Sequence, residues 1–589
     1  MLRLFGPVGL GLLAVGAAFA QDAADMVAPE AKSVLGAIVP ADLKPAQVAK
    51  DAGIPFSAEN WMVAAAHPLA VKAGADVLRQ GGTAADAMVA VQSVLGLVEP
   101  QSSGLGGGAF LVWYDAVSGQ VTTLDGRETA PLAASPRFFQ DESGQPLKFF
   151  DAVIGGLSVG VPGTPLLMEE AHRRWGRSAW PSLFSDAISL AEEGFIVSPR
   201  MADSVASDAN RLATHPVTAA YFLPEGRPLQ AGEKLINAAY GQSLRMLAHQ
   251  GAAPFYTGEI AADIVTAVRD AVRPGLLQNV DMALYRVKQR KATCMSYRGH
   301  DVCGMGPPSS GGLTVGQILG LMTPFDLAEM DARDPQAWRL IGDASRLAFA
   351  DRGRYMADSD YVPVPVKGLL AEDYLADRAQ LLRRDTALED VTPGTPDFDH
   401  ALNWADDDAI ELPSTSHISI VDRYGNALSM TTTIENGFGS RVMVRGFLLN
   451  NELTDFSFHS NRDGRPVANR VEPGKRPRSS MAPTIVLKDG SPTLVLGSPG
   501  GSRIIGYVAK TIIAHLDWGL DVQQSVALPH LVNRFGIFDV ETGDLTAALQ
   551  SLGFKVNERG LNSGLHAIAV GASLQGGADP RREGLAFGE

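Results

Sequence analysis

The chain has 589 residues, with 50 lysines and arginines against 65 aspartates and glutamates, for a formal net charge of −15. Its 46% hydrophobic and 20% charged residues are those of a globular protein, so disorder over most of the length is excluded. The acidic balance, without a basic block, argues against nucleic acid as a partner. Two cysteines are too few for a disulfide scaffold or a four-cysteine zinc site.

Residues 1–20 read MLRLFGPVGLGLLAVGAAFA. Arg3 precedes an apolar run, and Ala18-Phe19-Ala20 gives the small-x-small pattern before Gln21, as in a secretory signal peptide. The shortness of the run, with its glycines and Pro7, weighs against an uncleaved anchor. No later stretch is apolar for long enough to span a bilayer, so a soluble, exported protein, periplasmic or secreted, is expected. Residues 21–58 carry few signals and are expected to wrap the surface. From Trp61 to Val98 small apolar residues recur at helical spacing, broken at Gly81-Gly82, which predicts two packed helices with the second starting near Thr83. A glycine-rich turn from Glu99 leads into a strand over Phe110–Tyr114.

Residues 165–350 read as mainly helical, with loops at 155–165 and 307–312. Cys294 and Cys303 flank two short β-prone runs around Arg298-Gly299, and a two-residue hairpin there places them opposite each other. In an oxidising compartment they form a disulfide; the alternative is two half-buried thiols. Residues 391–414 hold six acidic residues, three prolines and no lysine or arginine, the texture of a solvated linker. After it the pattern turns to strands, over residues 416–421, 427–434, 484–487 and 494–496, with a helix over 504–516.

The chemistry is expected where linker meets strand. A hairpin closing between Asp422 and Asn426 sets Thr415 opposite Thr433, about 5 Å apart at their Cβ atoms. Cleavage between Ser414 and Thr415 would free an α-amine of pKa about 7.7–8.0, able to act as base for the Thr415 hydroxyl. Gly497-Ser-Pro-Gly-Gly-Ser-Arg503 joins a strand to a helix, and the N–H groups of Gly500 and Gly501 suit an oxyanion. No dinucleotide fingerprint, phosphate loop, His-Glu-x-x-His or Gly-x-Ser-x-Gly motif is present, and the eleven histidines lack metal-ligand spacing. Neither cofactor nor metal is expected.

The run from Thr415 to Gly439 resembles the signature of the γ-glutamyltransferase (glutathione hydrolase) family. So do Asn450–Ser457, Lys475–Met481, Gly497–Arg503 and, in the N-terminal half, His67–Ala70, Gly81–Ala87, Glu99–Phe110 and Pro307–Gly312. The resemblance covers residues 60 to 585. It implies an α/β fold, a four-layer αββα sandwich of the N-terminal nucleophile hydrolase type. With the signal peptide (1–20) read above, it also implies a large subunit (21–414) ending in a pre-cleavage linker (392–414), and a small subunit (415–589), the two forming a heterodimer. Thr415 would be the nucleophile, Thr433 would orient it, and Gly500 and Gly501 would hold the oxyanion. Arg127, with Ser479 and Ser480, would bind the substrate's α-carboxylate, and Glu435, Glu452 and Asp455 its ammonium. The implied donors are glutathione and other γ-glutamyl compounds, with water, amino acids or peptides as acceptors.

Three features depart from the family pattern. Glu435 stands where well-studied members have Asn, and Leu428 replaces a usual Val. Residues 458–474 are short and lack the lid Tyr of some members, which predicts a more open pocket. The rival readings are a sibling amidase for glutaryl or other acyl amides and, from another class, an unprocessed exported binding protein.

Overall fold

The computed structural model describes residues 36, 38–400, 403–407, 409, 411–541 and 543–589, so the expected signal peptide lies outside the described residues. Fourteen strands build its two large sheets. In chain order they are β1 (Phe56–Ala58), β2 (Met62–Ala65), β3 (Gly108–Asp115), β4 (Gln120–Gly126), β5 (Lys288–Arg290), β6 (Thr293–Tyr297) and β7 (His300–Gly304), followed by β8 (Thr415–Val421), β9 (Ala427–Thr433), β10 (Thr484–Lys488), β11 (Ser491–Gly497), β12 (His566–Val570), β13 (Leu574–Ala578) and β14 (Leu585–Gly588). One sheet has the order β1-β13-β12-β11-β10-β7-β6 and the other β14-β2-β8-β9-β3-β4-β5. Residues from both sides of Thr415 therefore share each sheet. A cut there would leave the two pieces joined by strand pairing.

Side chains alternate across the sheets and sort into layers. In β3, Leu111 and Trp113 join the apolar cluster under one helical layer, while Val112 and Tyr114 face Ile485, Val495 and Ile568 of the opposite sheet. That helical layer includes α1 (Pro68–Arg79) and α2 (Ala84–Val98). The fifteen positions of α2 are all buried, as expected of a helix that is apolar all round. It begins where the pattern placed it, with Thr83 and Asp86 forming a capping box. The same side carries α3 (Pro199–Leu212). On the other sheet lie α4 (Gly311–Met322), α5 (Pro335–Tyr355) and α6 (Ile504–Leu516). Helix, sheet, sheet, helix gives the expected αββα sandwich.

The Arg298-Gly299 turn has positive φ at both residues (50° and 74°), the geometry a two-residue hairpin favours. Cys294 pairs with Cys303 across it, and a disulfide joins them. The described residues between 38 and 58 do more than wrap the surface: Phe56–Ala58 adds an edge strand beside β13, and Leu43 and Ala46 are buried. The acidic segment also departs from expectation. Trp404, Ala405, Asp407 and residues 411–414 are buried, because the charges of Asp407 and Glu411 meet arginines instead of water. No helix among the described residues is long and apolar enough to cross a membrane.

Candidate active site

The hairpin β8–β9 sits mid-sheet in the register read from its turn, with Thr415 opposite Thr433 and Val421 opposite Ala427. The turn is held by Asp422, whose Oδ1 accepts from the backbone N–H of Tyr424 and Asn426. Its Oδ2 accepts from Ala84 N at the start of α2, where a carboxylate is favoured. At the other end the Thr415 hydroxyl donates to Thr433 Oγ1 at 3.2 Å, and the Thr433 hydroxyl donates to the Ser414 carbonyl at 2.8 Å. Glu435 N donates to Thr433 Oγ1 at 2.9 Å and fixes that direction. Thr433 thus polarises the carbonyl of the Ser414–Thr415 bond. Arg582 Nη1 donates to the Thr415 carbonyl at 3.1 Å. His417, two residues on, is held well below its ordinary pKa by burial, and its ring nitrogens lie within 3.0 Å of Thr431 and Ser419 hydroxyls. It is a neutral bridge between strands, and no base for Thr415.

Beside Thr415 lies a cavity lined by Arg127, Glu435, Glu452, Asp455, Ser479, Ser480 and Gly501; Gly500 is not among its lining residues. Arg127 follows β4, and its N–H is fixed by Asp125 Oδ1. Its guanidinium donates to the Pro477 and Arg478 carbonyls at 3.2 and 2.8 Å and pairs with Glu452 and Asp455. The remaining oxygens, Glu452 Oε2 and Asp455 Oδ1, are buried without a hydrogen-bond partner among the described residues. Glu435 accepts from Leu412 N at 3.1 Å and from Asn451 Nδ2.

The pocket is not open in the uncut chain. Its free volume is only about 20 Å³, with Glu411 and Leu412 forming part of its wall. The Glu411 carboxylate pairs with Arg352 of α5 and lies 3.7 Å from Arg478 Nε. Arg352 also donates to Ser480 Oγ and Ser310 Oγ, both at 2.8 Å. Gly501, at φ +56°, lets the segment approach: a Cβ there would stand 2.5 Å from the Glu411 carbonyl oxygen. The segment before Thr415 therefore packs into the wall of this cavity, with the Glu411 carboxylate held by Arg352. Sequence reasoning missed Arg352, Glu411 and Arg582. Arg478 lay inside the Lys475–Met481 block, but no role attached to it.

Six buried carboxyl groups, Glu128, Asp407, Glu411, Glu435, Glu452 and Asp455, face three arginines, Arg127, Arg352 and Arg478. Burial with too few cations favours protonation. Glu435 is pushed up to about 8, by burial first and then by Glu452. Glu128 and Asp455 are raised well above the carboxylate range, mainly by burial. Burial also raises Glu411, but Arg352 and Arg478 outweigh it and hold that carboxyl below its ordinary value. In the uncut chain, where the Leu412 N–H is one of its partners, Glu435 is therefore neutral below about 8 and charged above it.

Two seven-stranded antiparallel sheets between helical layers, with a threonine opening a central strand, define the N-terminal nucleophile hydrolase fold. The family model for gamma-glutamyltranspeptidase matches residues 70–588, and the chain belongs to that family. It is 37% identical over 547 residues to the glutathione hydrolase proenzyme of Bacillus subtilis strain 168, covering 90% of this chain and 92% of that one. The crystal structure of cephalosporin acylase from Bacillus halodurans is similar at TM-score 0.81 and 26% identity, over 91% of this chain and 97% of that one. That of Helicobacter pylori gamma-glutamyltranspeptidase is similar at TM-score 0.55 and 34% identity, over 57% and 96%.

Proposed function

We propose that the chain is an exported γ-glutamyl hydrolase and transferase of glutathione and related amides that matures by cutting itself between Ser414 and Thr415. In maturation Thr415 Oγ1 attacks the Ser414 carbonyl carbon while the Thr433 hydroxyl donates to the oxygen that gains charge. The hydroxyl proton passes to the departing nitrogen as the C–N bond breaks and an ester forms, and water then hydrolyses the ester. Ser414 is left with a carboxylate and Thr415 with a free α-amine, on chains 21–414 and 415–589 of a heterodimer.

The mature enzyme repeats the chemistry on substrate. The α-amine takes the Thr415 hydroxyl proton, Oγ1 bonds to the γ-carbonyl carbon, and Gly500 and Gly501 N–H groups receive the oxyanion. The C–N bond breaks as the leaving amine takes the proton. Water or an acceptor amine then attacks the γ-glutamyl ester and returns a proton to Thr415. Arg127, Ser479 and Ser480 would hold the α-carboxylate, and Glu435, Glu452 and Asp455 the ammonium.

The observation that carries this reading is the buried cluster of Glu435, Glu452 and Asp455 around Arg127, which holds more carboxyl groups than cations. An ammonium supplies the missing cation. A glutaryl group, which carries none, leaves buried acceptors unpaired, at about 1–3 kcal/mol for each. The test compares γ-glutamyl and glutaryl anilides: kcat/KM should favour γ-glutamyl by about 100-fold or more. Preference for the glutaryl compound rejects the assignment.

A further inference from the structure

Directly after Thr433 the chain makes a turn that residues with side chains rarely make. Glu435, Phe438 and Arg441 all have positive φ (75°, 64° and 62°), and none is a glycine. Such backbone costs free energy and persists only where surrounding contacts hold it. Its consequence is visible at the first of the three. The Glu435 N–H points back at Thr433 Oγ1, at 2.9 Å, while the Glu435 carboxyl group lines the Arg127 cavity. With Oγ1 accepting from that N–H, the Thr433 proton is directed to the Ser414 carbonyl.

The contacts that hold the turn converge on one side chain. Arg441, buried, donates from Nε and Nη2 to the two oxygens of Asp208, at 2.9 and 3.1 Å. The same guanidinium reaches back into the turn, from Nη2 to Asn436 Oδ1 at 2.8 Å and from Nη1 to the Gly439 carbonyl at 2.6 Å. The Arg441 carbonyl accepts from the Thr218 hydroxyl at 2.7 Å. Asp208 lies on α3, before the cut, and Arg441 after it. Four hydrogen bonds from one planar group therefore tie the strained turn to a helix of the other piece. Neither residue lines the Arg127 cavity.

We propose that Asp208 and Arg441 are positioning residues for self-cleavage: their ion pair holds the left-handed turn in which the Glu435 N–H directs the Thr433 hydroxyl onto the Ser414 carbonyl. The proposal rests on the maturation step above. Without the pair the turn relaxes toward negative φ and the Glu435 N–H leaves Thr433 Oγ1. The Thr433 proton then no longer meets the oxygen that gains charge. The role runs through backbone strain at position 435, so a residue that adopts positive φ easily, such as asparagine, needs the clamp less.

The test follows cleavage of the newly synthesised full chain over time by denaturing electrophoresis. Asp208→Asn keeps the size but not the charge, and should cut about tenfold more slowly than wild type. Adding Glu435→Asn should bring the rate back to within about threefold of wild type, since the N–H stays and the strain falls. A merely structural loss at Asp208 would not be recovered by that second change. Arg441→Lys keeps a charge beside Asp208 but not the fork; it should also be slow and recovered by Glu435→Asn, and it decides the matter if Asp208→Asn does not fold. Arg211→Gln removes the other partner of Asp208 and should cut at the wild-type rate. Cleavage at the wild-type rate in Asp208→Asn or Arg441→Lys, or slow cleavage that Glu435→Asn leaves unchanged, overturns the proposal. So does equal slowing in Arg211→Gln. A wild-type chain that is never cut would instead sink the maturation step beneath it, and the proposal with it.

Discussion

Thr415→Ala should run as one uncut chain on denaturing mass analysis, while wild type gives two, the second starting at Thr415. Its acyl transfer should fall by about 10⁴-fold or more, as expected when the nucleophile itself is removed. Two separate losses follow from one side chain. Without Oγ1 nothing attacks the Ser414 carbonyl, so Glu411 and Leu412 stay in the pocket; and no hydroxyl remains to take the acyl group. Thr415→Ser keeps the oxygen and should still be cut. Glu411→Gln should be cut more slowly, since it weakens the ion pair with Arg352 that positions the segment over Gly501. A wild-type protein that stays intact would remove the mechanism altogether.

Arg127→Lys should lower kcat/KM for γ-glutamyl substrates by about 10²–10³-fold, expressed largely in KM. The guanidinium fork meets two carboxylates and two carbonyls at once, and a lysine ammonium cannot reproduce that plane. Arg127→Met should in addition destabilise the fold by about 3–5 kcal/mol, because Glu452 and Asp455 lose their shared cation in a buried site. Protonation of the two acids offsets part of this loss, so the deficit should shrink as pH falls. Kinetics and urea unfolding at pH 6 and 8 measure both effects, and unchanged kcat/KM in Arg127→Lys would exclude Arg127 from substrate binding.

Much of the fold was legible because its signals are local. The register of Thr415 and Thr433 follows from one turn and a period of two, and the Cys294–Cys303 pair from a two-residue hairpin. The start of α2 follows from a cap at Thr83. The motif blocks around Arg127, Glu452 and Ser479 marked residues that are up to 353 positions apart in the chain and that meet in one cavity. Glu411 was misjudged for the same reason that hairpins were easy. Its neighbours in sequence are acidic, and a charge run among prolines ordinarily faces water.

The sequence by itself determined the fold class, the family and the threonine at the head of a central strand, since each is written in short-range pattern. Tertiary structure decided what those charges do. Arg352 reaches Glu411 from a distant helix, and Arg582 reaches the Thr415 carbonyl from near the C-terminus. Burial gives an acidic chain a cavity beside Thr415 with more carboxyl groups than cations. Local pattern carries no record of either, because charge inside a protein takes its energy from neighbours in space.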